Sequence, residues 1–172
     1  MKKKKEIVAF SLSLVVLAIF MEATPAYAGG GHSHGKKSKT LVQKKSISTS
    51  VSEIKKVLHG YAKMVNVKDV VKMGLFLDRE NFSVVQGKQA NWDWEDYRDK
   101  HLKPEFSRRN IKLLNYKVMN VRVEVGQMFS YAIFETQLEY ELDGEKKLKH
   151  EVGTAIFERK GNGWLIRHIH AS

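Results

Sequence analysis

Residues 128–159 read MFSYAIFETQLEYELDGEKKLKHEVGTAIFER. Two β-rich runs flank Asp143-Gly144, and an Asp-Gly pair supplies the positive φ that a tight hairpin needs. Gly126-Gln127 separates this pair from a further β-rich run before it. Gly161-Asn162-Gly163 separates it from another run after it. Strands are therefore expected at 111–125, 128–141, 146–159 and 164–170, joined as an antiparallel meander.

The residues upstream have a different period. Ser52 suits a helix N-cap. Ile54, Val57, Leu58, Tyr61 and Val65 follow at a spacing of three to four, which predicts a helix with one buried face. A short second helix is expected from Val67 to about Phe76, with Val70, Val71 and Leu75 on its buried side. Phe82–Gln86 alternates as a short strand and stops at Gly87. Residues 91–108, with Trp92, Trp94, Tyr97 and Leu102, read as a third helical segment ending near Pro104. Trp92 and Trp94 are two apart and cannot share one helical face, so at least one belongs on a loop or the surface. Helices first and a long antiparallel sheet afterwards give an α+β domain over 51–172.

The first fifty residues stand outside that domain. Lys2–Lys5 form a positive start, an apolar stretch runs from Ile7 to Met21, and Ala26-Tyr27-Ala28 offers small residues at a cut after Ala28. This is the layout of a secretory signal peptide over 1–28. The apolar run is shorter than the roughly 20 residues of a membrane span; an uncleaved N-terminal anchor is the alternative. The mature chain is expected to start at Gly29, to be exported to the periplasm or beyond, and to meet a membrane only during export. Residues 29–50, rich in Gly, Ser and Lys, read as a disordered linker.

The 172 residues carry a formal charge of +11, no cysteine and 42% hydrophobic residues. Disulfides, thiolate nucleophiles and zinc–cysteine sites are thereby excluded. Five lysines and no acid fall in 29–50, whereas 51–172 holds 21 basic and 17 acidic residues. The basicity is concentrated in a tail, so the charge demands no nucleic-acid-binding face, and an exported location makes nucleic acid a poor partner.

If each hairpin closes at its turn, residues two apart share a face. Ala155 is then expected opposite His168, Gly153 opposite His170, Ala132 opposite Ala155, Phe134 opposite Gly153, Thr136 opposite Glu151, Val121 opposite Ala132 and Met119 opposite Phe134. One face would carry these residues together with Val123, Phe157, Trp164 and Ile166, and would lie under the helices. The other would carry Asn120, Arg122, Glu124, Tyr131, Glu135, Thr154 and Arg167. Small residues at Ala132, Gly153 and Ala155 under a helical lid predict an apolar pocket edged by His168 and His170.

The closing segment, Gly163-Trp164-Leu165-Ile166-Arg167-His168-Ile169-His170-Ala171-Ser172, preceded by Gly153-Thr154-Ala155, resembles the ending of nuclear transport factor 2-like, or SnoaL-like, domains. It is also similar to the ending of the calmodulin-dependent kinase association domain. The resemblance covers about 52–172. It implies a cone-shaped α+β fold of the cystatin-like kind, a pocket between helices and sheet, and homodimers or larger rings. It implies no reaction and no cofactor, because the fold hosts isomerases, cyclases, hydrolases and binding modules alike.

The residues offer limited chemistry. Glu151 beside His170 is the one carboxylate–imidazole pair that could relay a proton. The same Glu151 is the sheet's sole third ligand for a metal on His168 and His170. His168, His170, Tyr61, Phe134, Gly153, Ala155 and Trp94 are the expected lining of a site for a small hydrophobic ligand, with Tyr61 needing a polar partner in one of the histidines. Core packing is the plain alternative for the aromatic residues. In the tail, His32 and His34 could hold copper, nickel or zinc loosely. Three functions compete: an exported non-enzymatic module that binds a small ligand or self-assembles, an enzyme of the same fold acting on a hydrophobic small molecule, and an envelope metal-handling protein.

Overall fold

The computed structural model describes residues 36–172, with side chains from Ser46 onward. A long helix α1 (Lys36–Asn66) is followed by α2 (Val70–Met73) and a 3₁₀ turn at Gly74–Phe76. A hairpin of β1 (Ser83–Gln86) and β2 (Gln89–Asn91) comes next. The third helical segment is α3 (Trp94–Asp96), a π-type turn at Tyr97–Leu102 and α4 (Lys103–Phe106). The chain ends in β3 (Ile111–Glu124), β4 (Phe129–Leu142), β5 (Glu145–Lys160) and β6 (Gly163–Ala171).

The six strands form one mixed sheet in the order β2-β1-β6-β5-β4-β3. The four long strands match the expected runs to within about a residue at most ends. The central turn behaves as the sequence says: Asp143 and Gly144 take φ of 52° and 87° between the paired residues Leu142 and Glu145, whereas in the last turn the positive φ falls on Gly161. The short first strand runs parallel to β6, pairing Ser83 with His168 and Gln86 with Ala171, and so closes the far side of the meander.

The helices cover one face. Ile54, Leu58 and Tyr61 of α1 pack with Phe82, Trp94, Tyr97, Phe134, Phe157 and Ile166 in one continuous core. Trp94 stands edge-on to Phe82, with centroids 6.2 Å apart. Trp94 is 2% exposed and Trp92 76%, which divides the pair as their spacing requires. Pro104 sits at the start of α4, where a missing N–H costs little.

Two expectations about the helices change. α1 begins at Lys36 and not at Ser52, so its first turns run through the segment read as a linker. Residues 36–50 contain neither Gly nor Pro, and once a helix is nucleated by packing at Ile54, each added residue costs little. Val71 and Leu75, expected on a buried side, are exposed, because the second helix is a single turn that buries Met73 and continues as 3₁₀ through Leu75. His32, His34 and the 1–28 segment lie outside the described residues.

Candidate functional site

The middle hairpin has the expected register: Ala132 pairs with Ala155, Phe134 with Gly153 and Thr136 with Glu151. The two outer hairpins do not, and each departs at a bulge. In β6 the ladder runs Phe157–Ile166 and then Ile156–His168, leaving Arg167 as the extra residue. Inward facing therefore passes from Trp164 and Ile166 to Ile169 and Ala171. Ala155 meets Ile169 and Gly153 meets Ala171. His168 and His170, expected at the pocket edge, stand on the outer face, paired with Ile156 and Thr154. The turned-out Arg167 reaches Glu158 and buried Asp78, and Lys160 joins both acids at 3.1 and 3.3 Å. In β3 the register shifts between Met119 and Arg122, with Asn120 at φ 52°. Val123, not Val121, then lies opposite Ala132, and Met119 pairs with Glu135 on the outside.

These shifts dissolve the expected pocket edge. Phe134 and Ala155 are buried in the core, as are Tyr61 and Trp94. The space at Gly153 is taken by a ring: a Cβ there would stand 2.6 Å from Cε2 and Cζ of Phe134. Glu151 and His170 point to opposite faces, so no relay pair forms. Glu151 instead pairs with Lys149 at 2.5 Å. Among the described residues, no group of three metal-capable side chains converges.

The inner face holds a different polar cluster. Tyr61 from α1 and Tyr97 from the π-type turn hydrogen-bond through their hydroxyls. Tyr116 of β3 and Glu151 of β5 act on the pair at longer range. Burial pushes all three hydroxyls above their ordinary range; Glu105 adds to the effect on Tyr97, and Glu151 to that on Tyr116. The phenols thus stay protonated and can donate. His101 stacks beside Tyr97, with ring centroids 5.2 Å apart, and faces Glu105 at 3.4 Å. Tyr61 was expected to need a partner and has one, but it is Tyr97 rather than a histidine. The signal available in the sequence was three tyrosines on three elements, each at an inward position.

The outer face of the sheet is ordered in rows. Glu124, Tyr131, Ile156, His168 and Ser83 form one; Arg122, Ile133, Thr154, His170 and Val85 form the next. Beside them lies the pair Glu135–Val152. Tyr131, Ile133 and Val152 are 45%, 44% and 54% exposed. His168 accepts or donates through Nδ1 at 2.8 Å from Ser83 Oγ. Burial, then neighbouring His170, lowers the pKa of His168.

The geometry defines a class: helices covering one face of a curved, unclosed sheet, with the other face uncovered among the described residues. The family profile of the SnoaL-like domain matches residues 54–172, and the chain belongs to that family. Solved structures agree in fold. A nuclear transport factor 2-like superfamily protein from Salmonella enterica serovar Typhimurium superposes with TM-score 0.65 at 14% identity, covering 73% of this chain and 92% of its own. A nuclear transport factor 2-like protein with a cystatin-like fold from Novosphingobium aromaticivorans gives 0.64 at 10%, covering 80% and 90%. The calmodulin-dependent kinase II hub homology domain from Chlamydomonas reinhardtii gives 0.58 at 13%, covering 71% and 96%. Among curated proteins no sequence matches significantly.

Proposed function

We propose that this chain is an exported, non-enzymatic SnoaL-like module that self-assembles by pairing the outer faces of its sheets. One observation carries the reading: Tyr131, Ile133, Val152 and Ile156 hold apolar surface in water on adjacent strands of that face. A contiguous apolar patch rimmed by polar groups is what an association surface looks like before its partner arrives. The rim here is Glu124, Arg122 and Glu135, with Asn120 Nδ2 donating to Glu135 Oε2 at 2.8 Å. The likeness to a kinase hub homology domain supports assembly as a use of this fold. Export rests on the Lys2–Lys5 start, the apolar stretch and Ala26-Tyr27-Ala28.

Sedimentation of the protein starting at Gly29 tests the reading. The expected result is a dimer or larger species at micromolar concentration, split to monomers by Ile156→Glu or Tyr131→Asp with the circular dichroism unchanged. A monomeric wild-type protein, or variants that still associate, would refute it. Export is checked by N-terminal sequencing of the secreted or periplasmic fraction, expected to begin at Gly29.

A second reading, a site for a small hydrophobic molecule, is favoured by the Tyr61–Tyr97–Tyr116 cluster. Protonated hydroxyls in a dry site can stabilise a developing negative charge. Native mass spectrometry of the purified protein separates the two: a bound organic molecule lost in Tyr97→Phe supports the second.

A further inference from the structure

The bulge in β3 does more than bend the strand. Asn120 sits at φ 52°, a region that costs energy for a residue other than glycine and persists where its surroundings hold it. The hold here is its bond to Glu135. Around this point α1 and the sheet come together. Lys55 and His59 of α1 and Arg122 of β3 ring a concavity of about 870 Å³, floored by Val121, Ile133 and Val152. None of the three basic side chains is in an ion pair among the described residues. Glu135, the single acid in the wall, is bonded to Asn120. Elsewhere on this molecule surface lysines pair freely with acids, as Lys100 does with Asp96 and Lys103 with Asp99. Basic groups outside any ion pair on one side and apolar side chains on the other make an amphipathic container.

We propose that this concavity binds an organic anion with an apolar body. Its charged end meets Arg122, Lys55 and His59, and its body lies on Val121, Ile133 and Val152. The size falls in the range of small-molecule sites, roughly 300–1,000 Å³. A carboxylate fits best, because a guanidinium presents two parallel N–H donors to its two oxygens. A bare inorganic anion would use the charges and leave the floor wet. The site is separate from the inner tyrosines. It shares Arg122, Ile133, Glu135 and Val152 with the proposed assembly face, so the site is open in the single copy and ligand and second copy compete for it.

Calorimetry and amide shifts with decanoate as probe test this, with decyl glucoside and inorganic phosphate run alongside. Saturable decanoate binding that shifts Arg122, Ile133 and Val152 is expected, with neither comparison compound binding comparably. Arg122→Gln combined with Lys55→Gln should weaken decanoate at least about tenfold, equivalent to ~1.4 kcal/mol, with thermal melting unchanged. Ile156→Glu, which splits the assembled protein and uncovers the shared residues, should bind decanoate at least as tightly as the wild type. Absence of saturable binding, phosphate binding as tightly as decanoate, or indifference to the Arg122 and Lys55 changes would each overturn the proposal. Decanoate binding to a wild-type protein that proves monomeric would refute self-assembly alone and leave this inference standing.

Discussion

Gly153 is small because Phe134 needs its space. The ring of Phe134, buried in the core, occupies the position that a side chain at 153 would take. The residue sits in a strand, with Phe134 directly across from it. Gly153→Ala should therefore destabilise by ~1–3 kcal/mol through overpacking. Gly153→Ala combined with Phe134→Leu should recover part of that loss, because the two side chains share one volume. Urea melts of the wild type, the single variants and the pair give the cycle. Full additivity would show that the ring does not set the glycine. At this scale the sequence was a good guide to pairing and a poor guide to vacancy. Phe134, Gly153 and Ala155 are neighbours as expected, but small residues were read as empty space when one of them is filled from across the ladder.

At the scale of elements, four strands and their turns were legible because Asp143-Gly144 and Gly161-Asn162-Gly163 are local signals. The bulges were not legible, because their causes are not local. Arg167 turns out to meet Asp78, 89 positions away by numbering, and no pattern within β6 alone shows that partner. The trace that could have been read is the parity switch from Ile166 to Ile169, and likewise from Val118 to Val121 in β3. The end of α1 shows a related long-range device. Asn66 Nδ2 donates to the carbonyl of Tyr116 at 2.7 Å, and its Oδ1 accepts from the Tyr116 N–H at 2.7 Å. The amide thus acts as one residue of a missing strand against the edge of β3, which also blunts that edge. Asn66→Ala should cost about 1–2 kcal/mol for two lost bonds in a partly wet site. It should raise hydrogen exchange at Tyr116 well above that at Thr136, and equal protection at the two would refute the clasp.

For the molecule as a whole, the bulge at Arg167 has its largest consequence in moving two titratable groups from the core side to the outer face. His168 lies in a row with Ile156 and Tyr131, and His170 in a row with Thr154 and Ile133. In and beside those rows the charged groups on that face are Glu124 and Arg122 on β3 and Glu135 on β4, with Glu158, Arg167 and Lys160 engaged with one another; farther along it lie Lys117, Glu139 and His150, and β1 contributes Ser83 and Val85. The pKa of His168 is lowered on folding, first by burial and then by His170. The unfolded chain therefore binds the proton more readily, and the stability tied to this group is present above the ordinary histidine value of about 6.5. It is lost as pH falls through the lowered value. A second copy covering the face, as proposed, would deepen the burial and lower the value further, so that association would release protons. Self-association should accordingly weaken as pH is taken from 8 toward 5.5, most steeply below about 6.5. His168→Gln keeps a polar partner for Ser83 and removes the charge, and it should flatten that dependence. Sedimentation equilibrium of both proteins across this pH range is the measurement. An association constant that rises in acid, or one equally steep in His168→Gln, would show that the histidine face is not the surface that joins the copies.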